Sequence, residues 1–148
     1  NSLRLEAGLS LYGQDMDTQT TPSMAGLAWS IPKVRRKEGL RAGGFIGAER
    51  VLQEIEGVRP VIRQRVGLHA VERIPVREGT TLHLPHGELV GHVTSGLLSP
   101  STNRPIAMAY VAPASSACGT RINALVRGKS VPMEVVPLPF VGTRYRKN

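Results

Sequence analysis

The chain has 148 residues, 19 Lys and Arg against 11 Asp and Glu, and a formal net charge of +8 at pH 7. A chain of this length can bury roughly two-thirds of its unfolded surface, and 41% hydrophobic residues are enough to fill a core, which argues against a disordered chain. No run approaches the ~18 consecutive apolar residues of a membrane-spanning helix, the single Cys118 excludes an internal disulfide framework or a multi-cysteine zinc site, and the first residues do not read as a secretory leader.

Residues 3, 5, 7, 9 and 11 are apolar, which is the period of a half-buried strand, with Arg4 and Glu6 on its other face. Little precedes this stretch that could pair with it, so the chain reads as a fragment cut within or beside a larger fold. Thr21-Pro22 is a helix start, because a proline at the first helical position gives up an N–H that has no partner there anyway. Met24, Leu27, Ala28 and Ile31 follow at helical spacing, and Pro32 stops the helix. Residues 33–44 read as a basic, Gly-rich loop. A second helix is predicted over 47–56, with Ala48, Val51, Leu52 and Ile55 as its apolar stripe and Gly57 as its stop.

From Val61 onward the texture changes to short apolar runs between Gly and Pro turns. Strands are predicted at 64–71, 74–77, 81–84, 88–94, 106–111, 120–127 and 130–136, with Arg127-Gly128-Lys129 as a hairpin tip. The expected fold is α+β and mostly β. A short α-containing remnant of one domain, residues 1–60, is followed by a six- or seven-stranded antiparallel barrel, residues 61–148.

The chemistry-bearing motifs are weak one by one. Gly128-Lys129-Ser130 lacks the earlier glycine and the following helix of a phosphate loop. Gly43-Gly44-Phe45-Ile46-Gly47 lacks dinucleotide spacing. His83, His86 and His92 have at best Glu88 to complete a metal set, and Cys118 has no base beside it. The basic run Lys33, Arg35, Arg36, Lys37, Arg41 has only Trp29 and Phe45 as nearby rings, too few for a single-strand nucleic-acid groove. Two further groups remain: Arg4 with Tyr12, and the tail Arg144-Tyr145-Arg146-Lys147. A guanidinium can grip a carboxylate with two parallel hydrogen bonds, and a tyrosine offers a stacking face and a hydroxyl.

Many short blocks, in one order, resemble the glycine cleavage system T-protein family. They include Leu3-Arg4-Leu5-Glu6-Ala7-Gly8, Leu11-Tyr12-Gly13-Gln14-Asp15, Thr20-Thr21-Pro22, Arg65-Val66-Gly67-Leu68, Pro75-Val76-Arg77, Val93-Thr94-Ser95-Gly96, Ile106-Ala107-Met108-Ala109-Tyr110 and Leu138-Pro139-Phe140-Val141. The resemblance implies three domains around a folate channel, with this chain matching the end of the middle domain and the C-terminal barrel. It implies an aminomethyltransferase that takes a one-carbon unit from the lipoylated H-protein to tetrahydrofolate and releases ammonia, in a bacterial cytoplasm or a mitochondrial matrix. The family's catalytic aspartate falls upstream of Asn1, so no catalytic residue is expected here and the chain alone should be inactive. Arg4, Tyr12, Tyr145 and Arg146 fall where the resemblance implies folate or substrate contacts. Arg144 stands where relatives carry Asn, and Ile46 where they more often carry Pro. No metal is expected, and the positive charge is assigned to folate carboxylates and an acidic carrier in preference to nucleic acid. Two alternatives stay open: the folate-binding C-terminal region of a sarcosine or dimethylglycine dehydrogenase, and a non-enzymatic basic β-barrel binding module.

Overall fold

The computed structural model describes residues 1–142. Six antiparallel strands form a closed barrel: β1 (Gln64–Ala70), β2 (Thr81–His83), β3 (Leu89–Leu98), β4 (Pro105–Val111), β5 (Arg121–Val126) and β6 (Lys129–Val136). Their order around the barrel is β1-β4-β3-β2-β5-β6, and β6 returns to pair with β1. Alternate residues point inward, so Leu68, Leu82, Val93, Ala107, Ala109, Ile122, Ala124 and Met133 fill the interior with essentially no exposure. The hairpin from β5 to β6 has two loop residues. Arg127 and Gly128 both have positive φ, 49° and 78°, as a turn that matches strand twist requires.

Strand β4 is buried along its whole length. Its inward residues line the barrel. Its outward residues are covered by the first part of the chain, and Ile106 and Met108 pack with Leu5, Leu97, Leu138 and Phe140. Residues 1–63 precede the barrel and include two helices, α1 (Ser2–Glu6), which packs on β3 and β4, and α2 (Ala48–Ile55).

Three sequence expectations are corrected. The alternation at residues 3–11 is not a strand but α1 and a loop, with Leu5 buried and Leu3 and Leu9 exposed. A barrel that closes on itself has no free edge for this segment to join, and Leu-Arg-Leu-Glu is a run of good helix formers. The helix expected from Pro22 to Ile31 does not form: the Met24 N–H donates to Thr21 Oγ1 at 3.3 Å and the Ala25 N–H to Thr21 O at 3.0 Å, but residues 22–26 make only a turn. Gly26, at φ 67°, ends it, with its N–H donating to Ser23 O and that of Leu27 to Pro22 O. A short 3₁₀ turn, Ala28–Ser30, follows. Residues 74–77 form no strand. They cross β3 so closely that a Cβ at Gly96 would lie 2.0 Å from the Val76 carbonyl oxygen.

The basic loop holds itself together. Arg35 donates to the carbonyls of Arg41 and Gly43, and Arg36 to those of Ile31 and Ala28. Two of its cations therefore brace backbone. Among the described residues no helix is long and apolar enough to cross a membrane.

Candidate functional site

The site grows from an irregularity in β3. Between Val93 and Ser95 the β3–β4 register shifts by one residue, so Thr94 is extra. Consecutive residues of a regular strand face opposite ways, but a bulge re-aims a side chain. Here Thr94 Oγ1 and Ser95 Oγ both donate to Asp15 Oδ1, each at 2.6 Å. Asp15 Oδ2 accepts from Arg4 Nη1 at 2.5 Å and from the Leu11 N–H at 2.9 Å. The Asp15 side chain is fully buried. Burial pushes its carboxyl upward, but the hydrogen bonds from Ser95, Thr94 and Leu11 and the charge of Arg4 outweigh that and hold it below the usual range.

Arg4 is engaged on every side. Nε donates to Asn1 Oδ1, Nη1 also reaches Leu9 O, and Nη2 donates to Gln14 Oε1 and Ser95 Oγ. A guanidinium has five N–H groups, and each has a partner within the chain. The open fork that a ligand carboxylate needs is not what Arg4 presents; it ties α1 and the 11–15 loop to the bulge.

A second buried carboxylate, Glu6, belongs to α1 itself. Glu6 accepts from Ser99 Oγ, from the Ser101 N–H at 2.9 Å and from Ser101 Oγ at 2.8 Å. The Ser99 bond and then the Ser101 backbone bond hold its carboxyl below the usual range, against burial. Arg65 of β1 completes the anchoring by donating to Gly8 O and Ser10 Oγ.

Above Arg4 opens a cavity of about 380 Å³ whose walls include Asn1, Gln14, Ser95, Arg77 and Glu78. Gln14 Nε2 donates to Glu78 Oε2 at 2.9 Å. Arg77 is exposed, and among the described residues its guanidinium has no hydrogen bond or ion pair. It also borders a second cavity of about 560 Å³ at the barrel end, which carries Arg127 and Lys129 over Ile74, Pro75 and Val131. Of the residues expected from sequence, Arg4 lines the first cavity. Tyr12 is 66% exposed, on the same loop as Asp15. Tyr145 and Arg146 lie outside the described residues. Arg77 and the bulge hydroxyls were missed as site residues, although Pro75-Val76-Arg77 and Val93-Thr94-Ser95-Gly96 had been picked out as blocks. Among the described residues no three His, Cys, Asp or Glu are grouped to hold a metal, and Cys118 is exposed.

The family model described as the glycine cleavage T-protein C-terminal barrel domain matches residues 63–142. The chain belongs to that family. A crystal structure of the glycine cleavage system aminomethyltransferase T from Bartonella henselae superposes on this chain with a TM-score of 0.89 and 42% identity, over 99% of this chain and 39% of that one. A mitochondrial aminomethyltransferase of Solanum tuberosum is 46% identical over 99% of this chain and 34% of its own length. A probable mitochondrial aminomethyltransferase of Schizosaccharomyces pombe is 44% identical over 99% of this chain and 36% of its own. The chain thus spans about a third of the length of the curated relatives it matches.

Proposed function

We propose that this chain forms one wall of the tetrahydrofolate chamber of a glycine cleavage aminomethyltransferase. Residues 1–60 would end the middle folate-binding domain and residues 61–148 would make the barrel. The observation that carries this is a cavity built around a rigid ionic node, with one uncommitted cation, Arg77, on its rim. Folate is a flat polar molecule with a glutamyl tail that bears carboxylates, and such a ligand fits a polar cavity with an available guanidinium. Tetrahydrofolate would accept the one-carbon unit that the lipoylated H-protein delivers, with release of ammonia. Within that reaction the chain's own residues bind and position. Arg77 would pair with a carboxylate. Arg4 acts as a positioning residue, held by Asp15 so that Gln14 and Ser95 keep their places on the wall. Tyr12, Tyr145 and Arg146 complete the proposed folate contacts. The catalytic base would come from outside this chain, so the chain alone should transfer nothing. The cellular setting follows the relatives, a bacterial cytoplasm or a mitochondrial matrix.

A hybrid enzyme tests this. The chain replaces its matching segment in the Bartonella henselae protein, and transfer from aminomethyl-lipoyl H-protein to tetrahydrofolate is assayed. The hybrid is expected to be active and the isolated chain inactive. A folded but inactive hybrid would overturn the assignment.

A further inference from the structure

The turn from Arg77 to Thr80 puts two unlike groups side by side on one wall of the Arg4 cavity. The Thr80 N–H donates to Arg77 O at 3.2 Å and closes the turn. The turn is clamped to β3 just before the bulge: the Gly79 N–H donates to Val93 O and the Val93 N–H to Thr80 O, each at 2.9 Å. Consecutive residues of a strand would point apart, but in this turn Arg77 and Glu78 both line the cavity. They are held differently. Arg77 has no hydrogen bond or ion pair among the described residues. Glu78 is tethered through Gln14, whose Oε1 accepts from Arg4 Nη2 at 3.1 Å and whose Nε2 donates to Glu78 Oε2 at 2.9 Å. The amide has its oxygen on the guanidinium and its N–H on the carboxylate, the one orientation that serves both charges. Only Oε2 of Glu78 is used in this way. Oε1 has no partner among the described residues and can accept a further hydrogen bond.

Resting on the folate reading above, we propose that Glu78 is a specificity-determining residue: it accepts a hydrogen bond from a ligand N–H that lies next to the carboxylate taken by Arg77. A free guanidinium beside a tethered carboxylate matches a group that carries an anionic oxygen and an N–H donor close together. An N-acyl amino acid has that pairing, because its amide N–H and its carboxylate are attached to the same carbon. The glutamyl end of folate is such a group. A carboxylate without a neighbouring N–H meets the opposite balance, since Arg77 attracts it and Glu78 repels it. The wall therefore favours amino-acid ends over plain carboxylates, with Glu78 as the repulsive element against the wrong ligand.

The test measures equilibrium binding of tetrahydrofolate and of tetrahydropteroate to the hybrid aminomethyltransferase, with Glu78 intact and with Glu78→Ala. Tetrahydropteroate ends in a benzoate carboxylate and has no amide N–H beside it. The expected result is roughly tenfold weaker binding of tetrahydrofolate by the variant, with tetrahydropteroate bound as well as before or more tightly. A Glu78 that merely braced the loop would weaken both ligands alike, and a bystander carboxylate would tighten both when removed. Equal changes for the two ligands in either direction, or no change, would therefore overturn the proposal. Its failure is separable from that of the folate reading. A hybrid that binds no tetrahydrofolate overturns both; one that loses affinity with Arg77→Ala and keeps it with Glu78→Ala overturns the role of Glu78 alone.

Discussion

The barrel and the segment wrapped around it are held by different physics. In the barrel, alternate side chains of six strands converge on one apolar interior and each backbone ladder continues into the next. In residues 1–62 the larger apolar side chains often face outward: Leu3, Trp29, Leu40, Ile46, Val58 and Ile62 are all exposed. That segment is fixed instead by a few polar posts. Arg4–Asp15 binds it to the bulge in β3, Glu6 to the serines after β3, and Gly8 with Ser10 to Arg65. Thr21 Oγ1 donating to buried Glu54 at 2.5 Å ties its own parts together. Distributed burial tolerates the loss of a part. A buried ionic post does not, because removing one partner leaves the other charge buried and alone.

That contrast can be broken most sharply at Asp15. Asp15→Ala strands the Arg4 guanidinium and is expected to cost about 3–5 kcal/mol, read by denaturant unfolding. Hydrogen exchange should speed up first in residues 1–17 and last in β5 and β6. Equal loss of protection everywhere would merge the two regions into one cooperative unit. In the barrel, Leu82→Ala opens a cavity at a fully buried site and should cost about 2–5 kcal/mol; there the loss of protection should spread through all six strands.

Acid separates the regions by a gentler route. Glu6 and Asp15 both have folded-state carboxyl pKa values below the ordinary range. A depressed carboxyl contributes stability that is fully present above its unfolded pKa, about 4, and is lost as pH falls through the lower folded value. Lowering the pH from about 5 to about 2 should therefore loosen the wrapped segment before the barrel ladders, as amide exchange would record. Glu6→Gln should weaken that pH dependence. At the small end, Lys37–Glu56 is an exposed pair at 3.5 Å. Lys37→Ala should change stability by less than about 0.5 kcal/mol, with the unfolding midpoint as the check.

The same division explains what could be read from the sequence. Strand periodicity marked five of the six barrel strands to within a residue at each end and β3 in part, and the Arg127-Gly128 turn was plain, because inward alternation and positive-φ turns leave local signatures. The bulge at Thr94 hid the continuation of β3: Thr94-Ser95-Gly96 looks like the end of a strand, whereas it carries on to Leu98. The helix expected from Pro22 is reduced to a turn that closes on one left-handed glycine, Gly26. The site was harder still. Asp15 lies 79 residues from Thr94 and 80 from Ser95, and no local pattern announces that two hydroxyls will meet one carboxylate. Arg4 was found as a residue worth watching, but its five internal partners could only be counted in three dimensions. They are why the carboxylate contact proposed above is Arg77, whose guanidinium has no partner among the described residues.

The most direct measurement is equilibrium titration of tetrahydrofolate into the hybrid aminomethyltransferase that carries this chain, with Arg77 intact and with Arg77→Ala. Loss of one charge-assisted hydrogen-bonded contact is worth about 1.5–3 kcal/mol, so the account predicts roughly ten- to hundredfold weaker binding in the variant, with its unfolding midpoint unchanged. Equal affinities for the two proteins would contradict it.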